Sequence, residues 1–134
     1  MSEIKFRAKS GTQWRYGDLY HNERGELVIF EPQSRGKTLE GGAVDGWRIV
    51  VDPNTVGQFT GIHDANGNEI YEGDIVKFTQ PAYIDVPVVI TWEDGAFMVD
   101  HDLYLGGRDL SRITVIGNIH DNPDLLEVEH DRRD

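Results

Sequence analysis

Short runs of β-branched and aromatic residues, separated by glycine-bearing turns, recur along almost the whole chain and restrict it to an all-β design. The runs fall at residues 4–8, 13–20, 27–31, 47–51, 56–62, 75–78, 86–92, 96–99 and 113–119. Turn signals about 8–12 residues apart belong to a sandwich or small barrel rather than to βαβ units, which need helical stretches between strands. No segment carries a long helical period. The fold expected is mainly antiparallel.

Three turns have chemistry specific enough to predict hairpins. In Asp64-Ala65-Asn66-Gly67 an aspartate opens the turn and a glycine stands where a positive φ is wanted, which suits a type I turn with a glycine bulge. Glu23-Arg24-Gly25 and Glu93-Asp94-Gly95 repeat the pattern. Asn122-Pro123-Asp124 reads as a helix start, with asparagine as the cap and proline at the first helical position. Only a short C-terminal helix can follow, because residues 127–134 are nearly all charged and predict a flexible tail. Residues 34–46 hold four glycines and predict a mobile loop. Residues 1–126 are expected to make one domain, since 134 residues suit a single hydrophobic core.

Composition excludes several functions. The chain has no cysteine, which removes disulfides, zinc–thiolate sites and thiol nucleophiles. No run approaches the roughly 18 apolar residues of a membrane-spanning helix, so a cytoplasmic protein without a membrane partner is expected. The net charge of −11 is uneven: residues 1–48 hold eight Lys/Arg against seven Asp/Glu, and residues 49–134 hold five against seventeen. An acidic second half repels phosphate backbones and weighs against duplex nucleic acid as a partner. It is suited to a basic protein partner, and a homo-oligomer is compatible with it.

Several motifs resemble reactive sites and fail on inspection. Gly36-Lys37-Thr38 matches the end of a phosphate-binding loop, but the glycine required five residues earlier is Glu31, and glycines interrupt the helix that should follow. Asp64, Asn66 and Asn68 alternate like a calcium loop, yet Glu69 and Ile75 occupy the positions of its glycine and bidentate glutamate. Asp100-His101-Asp102, with His63-Asp64 and His120-Asp121, offers metal-binding groups, but on an extended strand Asp100 and Asp102 face opposite to His101, so the triplet cannot present all three side chains to one ion unless the strand ends there. No serine lies in a strand-to-helix elbow. The expectation is therefore no enzyme, no catalytic residue, no cofactor and no metal. Trp14, Arg15, Tyr16, Trp47 and Arg48, with Tyr20, Phe30 and Arg7, are the candidate surface for a partner or for stacking single-stranded nucleic acid.

Five blocks in order carry a resemblance: IKFRA at 4–8, VGQFTG at 56–61, the D-x-N-G turn at 64–67, EIYEGDIVKF at 69–78 and VIGNIHDNPDLL at 115–126. Together they resemble the YopX family of phage and prophage proteins. The resemblance implies an all-β, phage-encoded protein without an established biochemical activity, and it transfers no catalytic residue. Gly57, Gly61, Asp64, Gly67, Gly73, Asp74, Gly117, Asn118, Asn122 and Pro123 are the motif positions, read as structural. Ile70, Ile75, Val76, Phe78, Val115, Ile116 and Ile119 are expected to supply the core. The turn-then-strand pattern Glu72-Gly73-Asp74 into Ile75-Val76 is SH3-like, so residues 56–120 are expected to form a small open barrel or bent sheet with the N-terminal strands packed on it. The leading functional expectation is a non-enzymatic accessory protein that binds another protein through its acidic face or the 34–46 loop. The alternatives are a β-barrel module for single-stranded nucleic acid and, less favoured, a small metal-dependent hydrolase.

Overall fold

The computed structural model describes residues 4–32, 46–78, 87–93, 95–99, 103–104 and 112–126. The expected phosphate-loop ending, most of the 34–46 loop, Asp100-His101-Asp102 and the 127–134 tail lie outside these residues. The protein is all-β and antiparallel, and it divides into two compact units, residues 1–59 and 60–134.

The first unit contains β1 (Phe6–Ser10), β2 (Gln13–His21), β3 (Leu27–Pro32), β4 (Gly46–Val50) and the beginning of β5 (Gly57–His63). Their order in the sheet is β4-β3-β2-β1-β5. Alternation sorts the side chains. One face of the sheet buries Ala8 and Ile29, packed with Val51 and flanked by Phe6, Leu19, Leu27, Ile49 and Val56. A 3-10 turn at Pro53–Thr55 is held by Asp52, whose carboxylate accepts from the Asn54 amide at 3.0 Å. The Thr55 hydroxyl then accepts from the Lys9 amide at 2.8 Å, fastening the turn to β1.

Gly17 lets β2 and β3 meet. A Cβ there would lie 1.9 Å from the Phe30 carbonyl oxygen, far inside contact distance, so no larger residue fits without moving a strand.

The second unit takes over within β5 and adds β6 (Glu69–Tyr71), β7 (Asp74–Phe78), β8 (Val88–Glu93), β9 (Ala96–Val99), β10 (Leu103–Tyr104) and β11 (Ile113–Asn118). Five of these strands form an open sheet in the order β10-β9-β8-β7-β11, with a bulge between Val115 and Gly117 that bends β11. Its core is Ile70, Val76, Phe78, Val88, Ile90, Val99 and Ile113, with Ile62, Phe97 and Val115 against it. A helical turn at residues 124–126 ends the described chain.

All three expected hairpin turns form, with Gly25, Gly67 and Gly95 at φ of 80°, 85° and 83°. Strands β6 and β10 escaped the sequence reading because runs of three and two residues are too short to show alternation. Two expectations change. Ile119 follows the last strand and is 37% exposed, so it is outside the core. Asn122 does not cap the helical turn with its side chain: its Oδ1 accepts from the Asn118 amide at 3.2 Å while its own amide donates to the Asn118 carbonyl at 2.8 Å. The reciprocal clasp across this tight loop takes up the side-chain oxygen that a cap would offer.

Candidate functional site

The motif positions of the second unit are committed to structure. Asp64 is buried at the β5–β6 turn, where its Oδ1 accepts from the amides of Asn66 and Asn68 at 2.9 and 2.8 Å. Its Oδ2 accepts from the Val115 amide at 2.9 Å and the Asn68 side-chain amide at 3.2 Å. Burial pushes the carboxyl's pKa up, but the four hydrogen bonds together outweigh it and leave the group below its ordinary value of 3.8. The ionised carboxylate thus pins the turn to β11, and the neighbouring Ala65 amide adds a bond to the Ile113 carbonyl at 2.9 Å. Four N–H donors already occupy the oxygens that a calcium ion would need.

Asp74 acts similarly, its buried Oδ2 accepting from the Tyr71 amide at 2.7 Å across the Glu72-Gly73 corner. Gly73 sits in that corner at φ +91°, and its backbone bonds both Ile90 and Ile119. Asn118 gathers the loop after β11, with its Oδ1 accepting from the amides of His120 and Asp121 at 3.0 Å each. A Cβ on Gly117 would lie 2.6 Å from the Asn122 Oδ1, so a larger residue there would displace the Asn122 side chain from the clasp. Gly57 stands opposite Arg7 in the ladder, Gly61 takes a φ of 84° within β5, and Pro123 precedes the helical turn. Among the described residues, no group of three or more His, Asp or Glu is placed to hold a metal ion.

The candidate surface residues belong to the first unit, and the strand register divides them. Arg15 and Trp47 fall on the face that includes Leu19, Ile29 and Ile49. Arg15 bonds Glu31 at 3.3 Å and Gln13 at 2.9 Å, while Trp47, beside Glu31 in the ladder, is 61% exposed on β4. Trp14, Tyr16 and Arg48 fall on the opposite face, together with Arg7, Lys9, Asp18, Tyr20, Val28, Phe30 and Val50. Near β1, Tyr16 is exposed on this second face, whereas Arg7 and Trp14 are taken up with each other. Arg7 is only 7% exposed and stacks 4.7 Å from the Trp14 ring, with the Lys9 amine 5.6 Å from the same ring.

Farther along, toward β4, the face opens to solvent. Asp18, Tyr20, Phe30 and Arg48 line a shallow depression of about 450 Å³, in which the Arg48 guanidinium lies 5.0 Å over the Phe30 ring. Tyr20 and Val50 continue it into a hollow of about 630 Å³ bounded by the turn at residues 21–26. The Asn22 side chain stiffens that turn by accepting from the Arg24 and Glu26 amides, each at 3.0 Å. Tyr20 and Val50 are 38% and 47% exposed. This strip is the best candidate site in the described residues. Sequence reading found Tyr20, Phe30 and Arg48 but missed Asp18 and Val50. Alternation along β2 puts Asp18 beside Tyr16 and Tyr20, but only the register of β3 against β4 brings Val50 to the same face.

The comparisons agree with the architecture. The family model described as YopX protein matches residues 5–127. The chain belongs to the YopX family. Among solved structures, the chain is similar to the crystal structure of protein EF1440 from Enterococcus faecalis, at 25% identity and a TM-score of 0.59. That match covers 94% of this chain and 99% of the other. No curated protein matches the chain. Neither the YopX name nor that of the Enterococcus protein specifies a reaction. In this YopX chain Asp64, Asp74, Gly117, Asn118 and Asn122 sit in turns and loop clasps. Among the described residues, no helix is long and apolar enough to cross a membrane.

Proposed function

We propose that this YopX protein is a non-enzymatic, phage- or prophage-encoded accessory protein that acts in the cytoplasm by binding another protein through the open strip of its first sheet. The carrying observation is the exposed Tyr20, Val50 and Arg48 around Phe30 on a hydrogen-bonded sheet. Tyrosine and arginine are enriched among residues that dominate protein–protein binding, because they combine contact area with directed polar groups. A sheet face also loses little conformational entropy when it is covered.

The strip balances Asp18 against Arg48, so it has no excess of cation for a phosphate backbone, and the Trp14 ring already stacks with Arg7. That favours protein over single-stranded nucleic acid. The test compares affinity capture by the wild-type protein, by Tyr20→Ser/Val50→Ser, and by Trp92→Ser as a control on an exposed aromatic of the second unit. A protein retained by wild type and control and lost from the double variant is the expected result. Capture that ignores the strip, or anisotropy binding of single-stranded oligonucleotides at low salt, would overturn it.

A further inference from the structure

The open strip is complementary to itself. Across the sheet, Asp18 pairs with Phe30 and Phe30 with Arg48, which sets an acid, an aromatic ring and a base in one row. The next row is Tyr20, Val28 and Val50 by the same register. Strand β3 is the middle of both rows. A twofold rotation about an axis parallel to β3 and above Phe30 and Val28 exchanges the positions of β2 and β4. It lays Asp18 of one copy over Arg48 of the second and Tyr20 over Val50, and brings Phe30 against its own equivalent, with the buried Val28 beneath. Symmetry makes each unlike contact twice.

The face-to-face geometry is ordinary for sheets, which stack about 10 Å apart with strands within about 30° of alignment. Charge favours this face over the rest of the molecule. Residues 1–59 hold eight Lys/Arg and eight Asp/Glu, whereas residues 60–134 hold five and sixteen and so carry the whole net charge of −11. Two copies repel wherever their acidic units approach, and the neutral unit is where they can meet.

We infer that the occupant of the strip is a second copy of this chain, forming a twofold dimer through Asp18–Arg48 and Tyr20–Val50 contacts. This rests on the protein-binding reading and names its partner.

The experiment measures mass in solution by light scattering or sedimentation for the full chain, with circular dichroism to confirm folding. Wild type is expected to be a concentration-dependent dimer. Asp18→Arg and Arg48→Asp each place like charges in both symmetric contacts, so each variant alone should dissociate at least about tenfold more readily. Mixing the two variants should restore the dimer as a heterodimer, because every contact then joins opposite charges. Recovery on mixing also shows that neither variant had merely misfolded. A wild-type monomer at the highest soluble concentration, variants that dimerise unchanged, or a mixture that stays monomeric would overturn the inference. If wild type is monomeric yet captures a different protein through the strip, the proposed function survives and only the self-association fails.

Discussion

The two units use their polar residues in different ways. In the second, carboxylates and amides are turned inward onto backbone donors: Asp64 holds four N–H groups, Asp74 closes a corner, and Asn118 with Asn122 clasps the last loop. In the first, the core cluster is smaller, and aromatic and charged side chains remain on an open sheet face. The unit rich in recognisable motifs is thus the one whose motifs explain its own folding. The face available for recognition lies in the other, which supplies only the IKFRA block and the start of VGQFTG.

Breaking the core of either unit should give the largest effects. Ile70→Ala removes a fully buried side chain from the seven-residue cluster and should cost about 3–4 kcal/mol in denaturant unfolding. Gly17→Ala should cost about 3 kcal/mol by forcing β2 and β3 apart. Hydrogen exchange should place the damage of Gly17→Ala in strands β1–β4 and that of Ile70→Ala in β5–β11. Equal loss of protection throughout both units would erase the comparison.

Next in size is the carboxylate turn. Asp64→Ala leaves four donors without their acceptor and should cost about 2–3 kcal/mol. Because the folded pKa is depressed, the stabilisation from ionised Asp64 is complete above the unfolded value of 3.8 and is lost as pH falls through the lower folded value. Unfolding midpoints followed from pH 6 downward should therefore show wild type losing stability below about 4, with Asp64→Asn showing a smaller loss over the same interval. Identical profiles would remove the ionised carboxylate from the account.

The smallest stability effect is expected on the open strip. Tyr20→Ser should change unfolding free energy by no more than about 0.5 kcal/mol while abolishing association, since a surface side chain away from the core contributes little to folding. A large loss of stability would mean that the strip is structural, as the motifs of the second unit are.

Much of the fold was legible because its signals are local. Alternation located most strands, and Asp64-Ala65-Asn66-Gly67 announced its turn because only a few residues tolerate that backbone. The sequence by itself determined the all-β class, the three glycine turns, the uneven charge and the family. Tertiary structure alone decided that Asp64 reaches Val115, fifty-one positions away, and that Asn122 clasps Asn118 instead of capping a helix. It also decided that Asp18, Phe30 and Arg48 form one row, because strand register is set by packing between distant segments, and a shift of one residue would turn each of these side chains to the other face.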